Sequence, residues 1–260
     1  MDGGEADGEA RAPKKRIMSI MLNRYKQATI MEQKTYTLKQ IAHICSPFSS
    51  KMGIPRQSGL VEQLSSIIVF EPEYRVAEAL RGIEGFSHLW LIWGFSENVR
   101  ENWRPTVRPP RLGGNVRMGV FATRSSFRPN AIALSSVRFG GIEKSAEDGM
   151  TIRVFGADLM DQTPIYDIKP YLSFTDAHPD AVNGFAEGVR QRKLEVVFPR
   201  SLACGLSDAL YVALCEVLAE DPRPAYQHEA ARVYGFGFAS FEVRFRVEGT
   251  VLYVIEVISK

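Results

Sequence analysis

The side chains of this sequence that are best suited to chemistry are arginines. From Arg100 to Arg138 the chain contains eight arginines and one acidic residue, Glu101. The planar guanidinium group binds phosphate or carboxylate in a bidentate manner. These arginines alternate with prolines, glycines and Trp103, whereas a merely solubilising surface usually mixes in lysine and glutamate. A solvated basic face is the alternative, but the pattern favours an anionic partner.

The stretch 119–139, GVFATRSSFRPNAIALSSVRF, lies within this basic region. Residues 120–123 and 131–137 are apolar and rich in small or β-branched side chains, which predicts two strands. The connection at 124–130 contains two arginines, two serines, a proline and an asparagine. A simple hairpin needs only one or two turn residues. We therefore expect this connection to position cations and hydrogen-bond donors at a site.

The motifs of several common enzyme classes are missing. No G-x-G-x-x-G follows a predicted strand and no G-x-x-x-x-G-K-[ST] occurs, so neither a Rossmann dinucleotide site nor a P-loop is supported. There is no G-x-S-x-G nucleophile elbow either. The three cysteines and four histidines are scattered along the sequence, which predicts neither a disulfide framework nor a metal site.

Length and composition indicate a globular protein with a substantial core. The chain has 260 residues, 45% hydrophobic side chains and a formal net charge of +2, enough for one large or two modest domains. No apolar run approaches the roughly 18 residues of a membrane span, and the N-terminus lacks the pattern of a secretory signal. The sequence therefore predicts a cytoplasmic protein that does not enter a membrane.

The first part of the chain predicts a mainly β domain. Residues 1–34 are glycine-rich and charged, with little to bury, and we expect them to form a flexible extension. One helix is expected at 73–86. Short strand-like runs without regular helical crossovers favour a small β-barrel or closed sheet over a doubly wound α/β fold. The runs are 36–44, 64–70, 88–95, 117–123, 131–139 and 150–159.

The last seventy or so residues predict a small α+β domain, separated from the first by a linker at 175–188. Residues 193–198 form a predicted strand, and 207–221 an amphipathic helix with Ser207 as its N-cap. Two further strands are expected within 237–259, joined at Glu248-Gly249. The predicted domains are therefore 35–176 and 190–260.

Five blocks of the sequence occur in the order typical of one known family. The chain resembles the TsaA-like family, whose bacterial members include the TrmO tRNA methyltransferases, from about residue 35 to its end. The blocks are GIPRQSGL (53–60), GIEGFSHLWLIW (82–93), WRPTVRPPRLGGNVRMGVFATRSSFRPN (103–130), DLMDQTPIYDIKPYL (158–172) and VLAEDPRPAYQ (217–227).

This resemblance implies a small β-barrel that binds S-adenosylmethionine and forms a homodimer. It also implies a substrate, tRNA with N6-threonylcarbamoyladenosine beside the anticodon, and a reaction, methylation of N6. The tRNA backbone would then be the anionic partner of the arginines. The residues expected at tRNA are Arg104, Arg108, Arg111, Arg117 and Arg128.

The same resemblance implies the residues that hold the cofactor. They come from the PRQ segment (55–57), from the end of the 88–95 run, from the signature block GVFATRSSFRPNAIALS (119–135) and from the DLMD block (158–161). They are Pro55, Arg56, Gln57, Ser96, Glu97, Arg124, Leu134, Asp158, Leu159, Met160 and Asp161. Core packing is the alternative for Leu134, Leu159 and Met160, and a structural salt bridge is the alternative for Arg124 and Arg128.

The loop DPRPAYQ is the candidate catalytic segment. N6 of the modified base is amide-like, so methyl transfer to it needs a proton acceptor. We expect Asp221 or Tyr226 near N6 and Arg223 on the threonyl carboxylate. Equally, Asp221 could serve as a cap while the prolines of this loop end the helix.

The sequence departs from the family pattern at three positions. Ala131 and Ala133 replace the usual proline and glycine, and Gln162 stands where glycine is common. Such changes matter where the backbone requires a positive φ angle.

Other functions are open at this point. They are a methyltransferase of the same fold acting on another RNA or a metabolite, a sensor that binds S-adenosylmethionine or RNA, and a purely structural protein. The catalytic loop argues against a sensor, and the one-sided arginine pattern argues against a structural protein.

Overall fold

A computed structural model describes residues 35–97, 102–109, 112, 115–188, 193–224, 229 and 232–260. The chain divides into two compact units, 1–38 and 39–260. In the first unit only residues 35–38 are described, and they have no regular secondary structure. The predicted flexible extension, 1–34, lies outside the described residues.

The described part of the second unit is mainly β, as the sequence predicts. Its strands, in chain order, are β1 (Ala42–Cys45), β2 (Ser65–Phe70), β3 (His88–Gly94), β4 (Thr106–Val107), β5 (Met118–Gly119), β6 (Ile132–Ser145), β7 (Gly149–Phe155), β8 (Thr163–Pro170), β9 (Glu195–Val197), β10 (Tyr234–Phe238), β11 (Phe241–Glu248) and β12 (Val251–Ser259). The α-helices are α1 (Ser173–Asp176), α2 (Phe185–Gly188) and α3 (Asp208–Ala219).

Six of these strands hydrogen-bond in a closed ring. Their order is β1-β2-β7-β6-β3-β8, and β8 pairs with β1 to complete the ring. All neighbours are antiparallel. Alternate side chains face the inside, as in β3, where Leu89 and Leu91 are completely buried. This interior forms the first hydrophobic core.

The predicted helix at 73–86 is wrong. The segment forms three short 3₁₀ turns, Pro72–Tyr74, Ala77–Leu80 and Ile83–Gly85. Two backbone breaks separate them: Val76 is extended, and Gly82 has a φ of 89°, in the left-handed region. Neither conformation can continue an α-helix.

The strand predicted at 120–123 is also wrong. β5 ends at Gly119, and Val120–Ala122 forms a 3₁₀ turn. β5 pairs with β4 in a two-stranded arm outside the ring, with Thr106 opposite Gly119. β6 is longer than predicted, and β8 matches none of the predicted runs. Pro164 and the polar Asp167 interrupt the apolar pattern of β8.

The second sheet has the order β10-β11-β12-β9, with β9 parallel to β12. The sequence predicts β11, β12 and their turn at Glu248-Gly249, which the structure confirms. The N-cap of α3 is confirmed too, because the hydroxyl of Ser207 accepts a hydrogen bond from the Leu210 N–H at 3.3 Å. β10 was not predicted.

Residues from the 46–64 segment pack on this second sheet, although they precede it by far in the sequence. Phe48, Val61 and Leu64 are buried in the same core cluster as the aromatic residues of β10. Phe48 meets Phe238 edge-on, with ring centroids 5.7 Å apart. The division into domains 35–176 and 190–260 stays a prediction.

No helix within the described ranges has the length and apolar content that a membrane crossing requires.

The family departure at Gln162 has a structural consequence, because this residue has a φ of 61°. A side chain in this left-handed region strains the backbone, whereas glycine adopts it freely. We expect Gln162→Gly to raise the free energy of unfolding by about 0.5–1 kcal/mol, measured by urea denaturation.

Gln162→Ala is the matched control for this prediction. It removes the same polar side chain but keeps the Cβ atom, so it should bring no gain. A glycine variant no more stable than the alanine variant would show that residue 162 is not strained.

Candidate active site

A cavity of about 1240 Å³ brings several of the predicted site residues together. Among the described residues, its lining comes from the beginning, the middle and the end of the second unit's sequence, and includes no residue of the strands that form the ring. Its lining comes from residues 51–57, from Pro109, Met118 and 121–124, from 182–186, and from Val217 and 220–224. The cavity therefore joins the PRQ segment, the signature arginine and the beginning of the DPRPAYQ loop.

The loop that contains the PRQ segment is fixed on the second sheet. Gly53 has a φ of 93°, and a Cβ atom there would collide with the ring of Phe236 on β10. Its neighbours Met52 and Ile54 pack against the second core. This anchoring holds Pro55, Arg56 and Gln57 at the cavity wall.

Two predicted cofactor residues from distant blocks contact each other. The guanidinium group of Arg124 donates a hydrogen bond to the Gln57 side-chain carbonyl. The side-chain nitrogen Nε2 of Gln57 donates in turn to the Arg56 backbone carbonyl. The signature block and the PRQ segment thus form one continuous polar wall.

The beginning of the DPRPAYQ loop forms another part of the cavity lining. Its conformation depends on a buried ion pair between Asp221 and Arg223. Nε and Nη2 of Arg223 each donate to one carboxylate oxygen of Asp221, both at 2.8 Å. Asp221 is only 3% exposed and has a φ of 53°, immediately after α3 and its C-cap Glu220. Aspartate tolerates this left-handed conformation better than most residues. The chain therefore turns back, and Arg223 comes to line the cavity.

The pair holds Asp221 in its ionised form. Burial acts to raise the pKa of this carboxyl, but the hydrogen bonds and the charge of Arg223 outweigh it, so the pKa lies below its usual value. Nη2 of Arg56 lies 3.5 Å from the Arg223 carbonyl oxygen, which connects the pair to the PRQ segment.

A second polar cluster, formed by Trp93, Ser135 and Asp158, lies near Arg124. The indole N–H of Trp93 donates to the Ser135 hydroxyl at 2.9 Å, and that hydroxyl donates to Asp158 at 2.6 Å. Burial raises the pKa of Asp158, while the hydrogen bond from Ser135 and the nearby charge of Arg124 act to lower it. Asp158 is outside the cavity lining, whereas Arg124, whose charge acts on it, is part of that lining.

The other predicted cofactor residues are not in the lining either. Ser96 and Glu97 are exposed at the end of β3, and Glu97 pairs with Lys51 of the lining at 3.4 Å. Leu134 is 53% exposed on β6, where it lies opposite Ile92 of β3.

The rest of the DLMD block holds the 46–48 segment. Leu159 is buried, and its carbonyl accepts a hydrogen bond from the Ser46 hydroxyl at 2.9 Å. Asp161 accepts one from the Ser46 N–H at 3.0 Å. The carbonyl of Met160 accepts one from the Thr163 hydroxyl at 2.7 Å. These contacts support the loop that leads to the cavity.

The predicted tRNA-binding arginines differ in their surroundings. Arg104, Arg108 and Arg117 are exposed on the β4–β5 arm or next to it. Arg128 is half-buried, and its Nη1 donates to the carbonyls of residues 123 and 125, at 3.1 and 3.4 Å. It therefore shapes its own loop. Two further predicted residues, Arg111 and Tyr226, lie outside the described residues.

Several lining residues were missed at the sequence level. Residues 182–186, interpreted as linker, form part of the wall, as do Met118, Phe121 and Glu220. Val182 and Phe185, two large apolar side chains, are the signal that this segment of the linker offered. Within the described ranges no group of three or more His, Cys, Asp or Glu side chains is placed to hold a metal ion.

Comparison with known proteins agrees with the order of these blocks. Residues 43–177 match the sequence model of the tRNA-methyltransferase O N-terminal domain, and residues 192–260 match that of the TrmO C-terminal domain. This chain belongs to the TrmO family.

Relatives of known name extend this result. A tRNA (adenine(37)-N6)-methyltransferase of Escherichia coli K12 is 41% identical over 221 residues, which is 82% of this chain and 94% of that protein. One from Eikenella corrodens is 47% identical over 164 residues, 63% of this chain and 92% of that protein. A crystal structure of TrmO from Pseudomonas aeruginosa superposes with a TM-score of 0.70 at 30% identity, covering 87% of this chain and 100% of that one.

Breaking the buried pair should destabilise the protein. We expect Arg223→Ala to lower the free energy of unfolding by about 3 kcal/mol, because Asp221 would remain buried without its partner. Urea denaturation measures this. Arg246→Ala is the matched control, since the pair of Arg246 with Glu248 is nearly half exposed and contributes about 1 kcal/mol at most. Equal losses in the two variants would contradict this view of the pair.

The stability contributed by Asp221 should depend on pH. Its pKa is lowered in the folded state, so the contribution is complete above the unfolded value of 3.8 and is lost as the pH falls through the folded value. The difference in unfolding free energy between wild type and Asp221→Asn should therefore be constant from about pH 7 to about pH 5 and shrink as the pH falls further. The exposed Asp180→Asn serves as control. A difference that does not vary with pH would refute the prediction.

Proposed function

We propose that this protein is an S-adenosylmethionine-dependent tRNA (adenine(37)-N6)-methyltransferase that acts on threonylcarbamoyladenosine next to the anticodon. One observation above all supports this. The PRQ segment, the signature arginine Arg124 and the start of the DPRPAYQ loop, which are far apart in the sequence, line a single cavity.

The cavity suits a cofactor together with a nucleotide. Its volume of about 1240 Å³ exceeds the roughly 300–1,000 Å³ of most sites for one small molecule. Met52, Ile54 and Met118 supply apolar lining, while Arg56 and Arg124 supply cations for a carboxylate. The residues that would hold the cofactor from the lining are Pro55, Arg56, Gln57 and Arg124.

S-adenosylmethionine supplies an activated methyl group with its own leaving group, so the protein need not provide a nucleophile. What the chain provides is position. Orientation of the reacting groups lowers a barrier by as much as about 7–11 kcal/mol. The fixed wall formed by Gln57 and Arg124 fits this role.

Arg223 is the proposed ligand of the threonyl carboxylate. A guanidinium group has five N–H donors, and those of Arg223 that bond to Asp221 are on Nε and Nη2. The opposite edge of the guanidinium can bind a second carboxylate. Asp221 is then a positioning residue that fixes the guanidinium plane at the cavity.

This arrangement also bears on the proton acceptor. Asp221 is a weak base in the pair, because Arg223 bonds to both of its oxygens and its pKa is lowered. Of the two acceptors that the sequence suggests, Tyr226 is therefore the one we propose. Ser96, Glu97, Leu134, Asp158, Leu159, Met160 and Asp161 are proposed as surroundings of the cofactor rather than as lining.

The family relationship supports four further proposals. The strand ring is the small β-barrel of the TsaA-like fold. The protein acts as a homodimer, and it works in the cytoplasm, where its tRNA substrate is found. Exposed arginines near the cavity, Arg104, Arg108 and Arg117, bind the phosphate backbone of that tRNA.

Methyl transfer from labelled S-adenosylmethionine tests the proposal. One tRNA sample comes from cells lacking this gene, and a second from cells that cannot make threonylcarbamoyladenosine. Label in the first sample alone is the expected result. Label in both would disprove the proposed substrate, and label in neither would disprove the reaction.

Arg223→Lys and Arg246→Ala should be assayed alongside. A lysine keeps a charge beside Asp221 but loses the planar fork, so we expect the KM for modified tRNA to rise about ten-fold or more. Arg246→Ala should behave as wild type. An unchanged KM in Arg223→Lys would remove Arg223 from carboxylate binding.

A further inference from the structure

The β4–β5 arm has an aromatic pair that the reaction described above does not use. The rings of Trp103 and Phe121 are stacked, with centroids 6.1 Å apart and planes 26° from parallel. Trp103 is 48% exposed and Phe121 72%. Two large apolar side chains that expose so much surface together are unusual in a folded chain.

Backbone hydrogen bonds and a buried neighbour position Phe121 on the arm. The Val120 N–H donates to the Pro105 carbonyl at 2.9 Å, which continues the pairing of β4 with β5. Val120 itself is buried, and Phe121, the next residue of the same 3₁₀ turn, is exposed. The arm therefore fixes the place of Phe121, and Trp103 stacks on it.

The position is next to the cavity, since Phe121 is one of its lining residues. The charged side chains on this stretch of the chain have one sign. Arg104, Arg117 and Arg124 are exposed on the same stretch of chain, and residues 102–138 include no aspartate or glutamate. Flat apolar faces amid cations suit a ligand that has both rings and phosphates.

We propose that Trp103 and Phe121 form a stacking platform for an unpaired base of the anticodon loop. The inference rests on the proposed function, since that function supplies an RNA loop as the substrate. Proteins recognise single-stranded RNA by stacking its bases on aromatic side chains, while cations bind the backbone. The stacked base is a neighbour of the adenosine that enters the cavity.

The platform also answers an energetic requirement of the reaction. An adenosine that enters the cavity must leave the stack of its own loop, and this unstacking is unfavourable. The neighbouring base then loses a stacking partner. An aromatic face at the cavity entrance replaces that partner and stabilises the open conformation of the loop.

Binding of a modified anticodon stem-loop, measured by titration, tests the platform. We expect Trp103→Ala and Phe121→Ala each to raise the Kd for the RNA roughly ten-fold or more, with Kd for S-adenosylmethionine unchanged. Trp103→Phe should recover most of the affinity. Phe174→Ala is the matched control, because Phe174 is 83% exposed on α1 and does not line the cavity. Thermal unfolding of every variant confirms folding.

Two readouts separate stacking from a general loss of binding. The slope of log Kd against log salt should stay as in wild type for the aromatic variants, whereas Arg104→Ala should reduce it. Abasic substitutions are placed one at a time in the loop. At one position, the abasic RNA combined with Trp103→Ala should bind no more weakly than with either change alone. That position identifies the stacked base.

The outcomes distinguish this proposal from the proposed function. RNA affinity that is unchanged in both alanine variants would overturn the platform even if wild type methylates tRNA. Weakened binding of S-adenosylmethionine would overturn it too, by assigning the aromatic pair to the cofactor. If wild type transfers no methyl group to tRNA, the proposed function fails, whereas the stem-loop titration still measures whether the platform binds RNA.

Discussion

The buried ion pair of Asp221 and Arg223 is the interaction on which the site depends. Asp221 takes the left-handed conformation right after the C-cap of α3, and its carboxylate receives two hydrogen bonds from a side chain only two residues further on. This turns the chain back towards the PRQ segment, where Arg56 meets the carbonyl of Arg223. A cation that would be mobile on an open loop is therefore held in one orientation. Such preorganisation is what binding and positioning of a charged substrate require.

The strand ring and the second sheet contribute different walls to the same cavity. The DLMD block leaves the ring and bonds to residues 46–48, and Phe48 packs into the core of the second sheet. The PRQ loop follows directly and is held against β10 at Gly53. The second sheet thus orients a loop whose beginning is fixed by the ring. This explains why the 46–64 segment packs far from its neighbours in sequence. It also explains how a mainly β chain without a glycine-rich phosphate loop can still form a binding cavity.

The sequence was informative where local rules decide the structure. Ser207 caps its helix, and the Glu248-Gly249 turn joins two alternating strands, because both depend on a few adjacent residues. The apolar patterns at 73–86 and 120–123 were misleading, since single backbone conformations at Val76, Gly82 and Gly119 broke them into short turns. At the site, the PRQ segment and Arg124 were found from the resemblance. The wall at 182–186 and the bond between Arg124 and Gln57 were not, because both arise only from tertiary packing.

The arginine-rich stretch shows why residue counts overstate a binding surface. Arg128 bonds to carbonyls of its own loop, and Arg138 lies over the ring of Phe155, 4.1 Å from its centroid. Arg124 belongs to the polar wall of the cavity. Among the described residues of this stretch, the arginines left to face an RNA backbone are those on the arm and next to it. Because the arm also holds the aromatic pair, charge and stacking surface coincide there, and the cationic side chains near the cavity divide their work. Those inside shape it, and those outside are the ones that we propose to guide the nucleic acid towards it.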